Sequence, residues 1–316
     1  MPEINIEEKI QEALKRKSFK ENKADYLGLS FVFCIILSIT FLVGYFLPLL
    51  AVLIFVFVDI PLLMGYKHFI WFGPASGETL MDGFKVSLIC GYLNFVSYMK
   101  IFIASNLKPL LIAVLMLFVS TFVGAYVIQF TLPEEMAMIM ESISDNSTSD
   151  QMIDLFMNNE AINKAMTITG IVALVVSLLT FYIVKLNRAL LPYVSFLRLT
   201  NLEGKSMDGV IAHTKRILKT NRLKYYLRAT VCHLLFVIPV GISLLVYFVL
   251  STNPVYSLTT LELISALAFF ATLFIPILFI ELNNRTFCIE ANQEYLKEHK
   301  KMLNDAINDL DGKNKR

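Results

Sequence analysis

The forty residues from Leu27 to Tyr66, LGLSFVFCIILSITFLVGYFLPLLAVLIFVFVDIPLLMGY, hold a single formal charge, Asp59. As one helix they would reach about 60 Å, twice the roughly 30 Å hydrocarbon thickness of a bilayer. The run must therefore fold back on itself, and Gly44 and Pro48 mark the turn. This gives spans near 27–47 and 49–70, and four more apolar runs follow at about 109–130, 167–186, 229–250 and 259–281. Runs of this length satisfy their own backbone hydrogen bonds in lipid only as helices. The expected fold is all-α: an integral membrane helical bundle with about six transmembrane helices and interfacial cytoplasmic helices.

Composition agrees with lipid as the solvent. Of 316 residues, 56% are hydrophobic and 17% charged, with a mean hydropathy of +0.62. A soluble domain lies nearer half apolar and a quarter charged. Cys34, Cys90, Cys232 and Cys288 are scattered without a CxxC pair. They read as small buried hydrophobes, not as disulfides or a zinc site. No small-x-small pattern follows the first apolar run, which is expected to stay as an anchor.

Lysine and arginine set the orientation. Six precede the first span, four lie between spans two and three, ten run from Lys185 to Arg228, and seven follow the last span. Lys164 alone falls on the other side, in a segment (131–165) with seven acids. Both termini are therefore expected in the cytoplasm. The organisation expected is a cytoplasmic amphipathic segment at 1–26, a six-span membrane domain at 27–284, and a cytoplasmic helix and tail at 285–316. The stretch 84–105 is apolar but interrupted by Lys85, Asn94, Ser97 and Lys100. It reads as a helix in or under the cytoplasmic interface leading to Pro109, the alternative being a seventh span that would scramble the charge rule.

An internal echo accompanies this plan. Gly77-Glu78-Thr79-Leu80-Met81-Asp82-Gly83 follows span two, and Gly204-Lys205-Ser206-Met207-Asp208-Gly209 follows span four. A helical stretch and a new span come after each, as in a parallel repeat. Asp-Gly turns are also common on their own account.

Pro61-Leu62-Leu63-Met64-Gly65-Tyr66 with Asp82-Gly83-Phe84-Lys85, and later Leu191-Pro192-Tyr193, Lys215-Arg216-Ile217-Leu218-Lys219-Thr220-Asn221 and Leu235-Phe236-Val237-Ile238-Pro239, carry a resemblance. The chain from about 27 to 298 resembles bacterial multi-pass membrane proteins of domain-of-unknown-function family 975 and relatives. It is similar also to the membrane domain attached to some glycerophosphodiester phosphodiesterases. The resemblance implies a bacterial cytoplasmic-membrane protein and supplies no catalytic residues. The outer segment 131–165 departs from the short-loop pattern.

Among individual residues, Asp59 stands mid-span, where a carboxylate costs roughly 2.5–3.5 kcal/mol on insertion scales. It is a candidate intramembrane proton or cation site, with Pro61 freeing a carbonyl one turn earlier. The plainer reading is a protonated acid bonded to a neighbouring helix. Glu262 and Glu281, near the ends of the last span, read as interfacial. His233 is a second candidate polar residue, more plausibly a helix–helix hydrogen-bond partner than a ligand. Pro239 and Pro276 are positioned to kink spans five and six. Lys215, Arg216, Lys219, Arg222, Lys224 and Arg228, with Tyr225 and Tyr226 at headgroup level, are candidate contacts for anionic lipid on the cytoplasmic face. A solvated basic domain with base-stacking aromatics is missing, so no nucleic-acid partner is expected.

The outer segment carries Met136, Met138, Met140, Met152, Met157 and Met166, but Met138 points away from the face shared by Met136 and Met140. Two short helices, starting at Pro133-Glu134-Glu135 and at a capping box Thr148-Ser149-Asp150-Gln151, explain it better than soft-metal capture. No metal site and no cofactor are expected. The sequence lacks a Walker loop, HExxH, GxSxG and any His-Cys cluster. Leu296, Leu303, Ile307 and Leu310 form a short a/d seam on a C-terminal helix, which would dock on a second copy, on an N-terminal helix bearing Ile6, Ile10 and Leu14, or on another protein. Two functions stay open: a non-enzymatic accessory or scaffold protein acting through lipid or partner contacts, and a small transporter or channel using Asp59.

Overall fold

In the computed structural model, which describes residues 22–73, 79–142, 157–198, 207–252 and 256–313, the first helix, α1 (Lys23–Phe46), stops where the sequence demands it. Leu47 leaves helical dihedrals (φ −136°, ψ 76°) and Pro48 occupies the first turn of α2 (Pro48–Phe72). Proline is tolerated there because that N–H has no intrahelical partner. Gly73, at φ 63°, ends α2 in a conformation that a side chain would disfavour. Then come α3 (Leu80–Leu93), α4 (Phe95–Phe102), α5 (Lys108–Thr131), α6 (Pro133–Ser142), α7 (Glu160–Arg188) and α8 (Leu191–Arg198). The chain continues through α9 (Met207–Leu234), α10 (Val237–Ser251), α11 (Leu258–Thr272) and α12 (Phe274–Lys313). Every regular element among the described residues is helical.

Among the described residues, six stretches are long and apolar enough to cross a membrane: Lys23–Phe46, Pro48–Phe72, Phe95–Thr131, Glu160–Phe196, Asp208–Ser251 and Leu258–Lys297. The protein is a multi-pass, all-α membrane protein. The helix start expected at Pro133 is present as α6. The capping box at 148–151, the glycines of the two echoed turns at 77 and 204, and the N-terminal Ile6, Ile10 and Leu14 lie outside the described residues.

The prolines explain most irregularities. A proline ring clashes with the carbonyl four residues earlier and donates no hydrogen bond. Before Pro61 the helix widens, so that the Ile60 N–H reaches the Phe55 carbonyl; the same π-helical widening covers Ile103–Leu107 before Pro109. Ahead of Pro239 and Pro276 the chain tightens instead, with Phe236 bonded to His233 (3.0 Å) and Leu273 to Phe270 (3.2 Å).

The chain forms two compact units, one holding residues up to Ile103 and from Asn187 onward, the other Ala104–Leu186. In the second, α5 and α7 run antiparallel. Ser177 donates to the Ala113 carbonyl (2.8 Å), Gly124 faces Thr169 so closely that no side chain fits, and Lys185 donates to Asn106 Oδ1 and the Ser105 carbonyl. Ser105 is the residue whose carbonyl Pro109 leaves without a helical partner.

In the first unit, α1 and α2 pack antiparallel through Tyr26–Phe69 (5.2 Å between ring centroids), stacked Phe33–Tyr66 (4.4 Å) and a Ser30–Tyr66 hydrogen bond (2.8 Å). α3 also packs antiparallel on α2. Phe84 meets Phe69, Ser87 meets His68, Gly65 lies on the Ser87–Leu88 backbone, and Gly91 lies on the Pro61 carbonyl. Phe95, just beyond, stacks near Phe57 (6.0 Å). From Phe69 to Phe57 is twelve residues, about 18 Å of helix. The interfacial placement expected over 84–105 is therefore refined: α3 follows a spanning helix through much of its length, because two glycines let the backbones touch.

Candidate functional site

Lys67 and Glu281 approach the ends of their spans from opposite ends of the sequence, and the fold brings them together. Lys67 Nζ donates to Glu281 Oε1, and their side chains are 13% and 9% exposed. Tyr193, on α8, donates to Glu281 Oε2 (2.6 Å) and reaches its backbone carbonyl (3.2 Å). Asn284 donates to Oε2 (3.4 Å) and accepts from Tyr225 of α9 (2.9 Å). One turn on, Arg285 donates to the Trp71 carbonyl (3.2 Å). Four helices, α2, α8, α9 and α12, thus meet at one buried carboxylate. To its expected place near the end of the last span the structure adds burial within the protein. The acid is 7% exposed because a lysine, a tyrosine and an asparagine together replace water around it.

Chemically this arrangement is a clamp. Both carboxylate oxygens of Glu281 are occupied by donors from its own chain, which leaves little acceptor capacity for a substrate. Breaking such a pair is expensive, whereas the pair itself adds little over well-packed apolar groups. Its role is to hold four elements in one register.

Below the clamp, α9 and α12 run antiparallel and are laced by polar contacts. His213 pairs with Asn292 (2.8 Å, both buried), Arg216 donates to the Tyr295 hydroxyl (3.0 Å), and Arg228 and Lys224 reach Glu290 (2.8 and 3.3 Å). Arg222 donates to Tyr226 (3.0 Å), which donates to Asn187 (2.7 Å). Of the six basic residues singled out in the sequence, Arg216, Lys224 and Arg228 thus contact α12 and Arg222 a neighbouring tyrosine. Lys215 and Lys219 are exposed. The C-terminal helix continues to Lys313, and Leu296, the first residue of the expected seam, is buried.

Asp59 lies inside the first unit, 4% exposed, at the end of the widened turn before Pro61. Thr40 of α1 donates to its Oδ1 (3.0 Å), the one hydrogen bond that the carboxylate receives among the described residues. Thr40 also lines a groove of about 480 Å³ between α1 and the first turns of α2, with Phe41, Gly44, Tyr45, Val52 and Phe55. His233 stands apart, half-buried, its Nδ1 2.6 Å from the Ala229 carbonyl of its own helix and its ring near Phe236. Asp59 and His233 are not brought together by any contact described. Glu262 and its surroundings join neither site.

Comparisons of the chain with protein-family models, with curated proteins and with solved structures find no match.

Proposed function

We propose that the chain is a non-enzymatic integral protein of the bacterial cytoplasmic membrane, with both termini in the cytoplasm, acting as an accessory or scaffold through lipid or partner contacts. One observation carries this reading. Lys215, Lys219 and Arg222 are exposed along α9, which leaves helical dihedrals at Asn221 (φ −119°, ψ 22°), while His213 and Tyr225 tie it to Asn292 and Asn284 of α12. Exposed Leu223, Leu227 and Val231 follow at once and begin the apolar span. The result is an exposed cationic ledge leading into the apolar span, as contact with lipid headgroups would require. Each basic residue near an anionic surface contributes about 1 kcal/mol. The bacterial assignment is supported by the family resemblance, and the orientation by the distribution of lysine and arginine.

The test is lipid selectivity. With the protein in nanodiscs of mixed phosphatidylcholine and phosphatidylglycerol, native mass spectrometry should show retained phosphatidylglycerol. Its affinity should fall by about tenfold or more in the triple variant Lys215→Gln, Lys219→Gln, Arg222→Gln, given three such contributions. Equal retention by both proteins would remove the ledge from the argument.

Orientation has its own check. Single cysteines placed at Ser147 and Thr252 should react with an impermeant thiol reagent added to intact cells, and one at Ser206 should not. Labelling at Ser206 would reverse the proposed topology.

A further inference from the structure

The two buried carboxylates of the first unit differ in one respect. Glu281 is saturated by donors, whereas Asp59 receives one hydrogen bond among the described residues, from Thr40. An acid deep in a spanning helix is costly without a compensating partner. The surrounding sequence offers no basic one, because no lysine or arginine occurs between Lys23 and Lys67.

Thr40 separates Asp59 from the groove between α1 and α2. Aromatic rings line this groove at Phe41, Tyr45 and Phe55, and Gly44 faces Ala51 so closely (3.0 Å to an added Cβ) that a larger residue would intrude. Tyr45, Val52 and Phe55 are each about half exposed along its rim. The groove is therefore open at the surface of two spanning helices. Its volume, about 480 Å³, lies within the roughly 300–1,000 Å³ typical of small-molecule sites.

We propose that this groove binds a lipophilic organic monocation, a molecule whose positive charge is spread over an apolar aromatic body. Such a ligand enters from the bilayer, lays its rings against Phe41, Tyr45 and Phe55, and places its charge against the Thr40 hydroxyl oxygen, whose proton is donated to Asp59 behind it. Ring faces attract cations, and the attraction grows as water is excluded. A compact hydrated cation does not fit this chemistry, because the mostly apolar walls cannot replace its water shell. The inference goes beyond the scaffold role and is independent of the basic ledge on α9.

The probe is radiolabelled tetraphenylphosphonium, measured by equilibrium binding to the full chain in phosphatidylcholine nanodiscs, with empty nanodiscs as reference. Saturable binding at about one site per chain is expected. Asp59→Asn should weaken it by about tenfold or more, through loss of the one buried counter-charge. Val52→Trp should weaken it similarly by filling the groove. Val52 is 59% exposed, so this change leaves the packing around Asp59 intact and keeps the test informative if Asp59→Asn folds poorly. Asp59→Glu should retain binding, as should the triple variant on α9. Binding no greater than to empty nanodiscs, or unchanged binding in Val52→Trp, would overturn the proposal.

Discussion

Replacing Glu281 by alanine is expected to destabilise the protein by about 3–5 kcal/mol, the largest effect of any single substitution considered for this chain. The reason is the partner left behind. Lys67 would be left without its carboxylate at a site where its side chain is 13% exposed, while Tyr193 and Asn284 would lose the acceptor they share. The double variant Lys67→Met, Glu281→Leu should recover most of the loss, because it removes both charges and fills the space with apolar groups. Reversible unfolding in mixed micelles, followed by circular dichroism, measures all three proteins. A Glu281→Ala protein within about 1 kcal/mol of wild type would show a pair that water can reach, as for surface ion pairs.

The next largest effect is expected at Gly91. A Cβ there would strike the Pro61 carbonyl, and one at Gly65 would lie 2.6 Å from the Ser87 carbonyl. Backbone atoms cannot swing aside as a flexible side chain does. Gly91→Val should therefore separate α3 from α2, at a cost of about 3 kcal/mol, the upper range for overpacking. Gly65→Ala and Gly91→Ala act on the same contact and should be less than additive in the double variant. Full additivity in the same unfolding measurement would mean that the two glycines serve separate contacts.

The spans were legible because lipid imposes a constraint that composition cannot hide. The turn at Leu47-Pro48 follows from arithmetic on an uncharged run, and the break appears there in the structure. The tightened turns ahead of Pro239 and Pro276 follow from the chemistry of the proline ring. The clamp was not legible. An acid near the end of a span looks the same in sequence whether it meets headgroups or a lysine 214 positions away. One signal was present: the polar run Asn283-Asn284-Arg285, one residue beyond Glu281, is dense for the edge of a span. The path of α3 was hidden for a related reason. Gly65 and Gly91 are unremarkable singly, and only the pairing of helices shows that their missing side chains coincide. Asp59 could be singled out from its charge, but the groove beside its partner Thr40 depends on how α1 and α2 cross.

The separation of Lys67 from Glu281 also sets a schedule for the chain's birth. A ribosome adding about 5–20 residues per second makes the lysine about 10–40 s before its carboxylate exists. Tyr225 waits a shorter time for Asn284, 59 residues later, about 3–12 s. During that interval the first spans are already made, with a cation at their edge that nothing in the nascent chain neutralises in its final geometry. Closure of the first unit around Lys67 consequently waits for α12. A chain that stops before position 281 lacks the carboxylate that Lys67 meets in the finished fold.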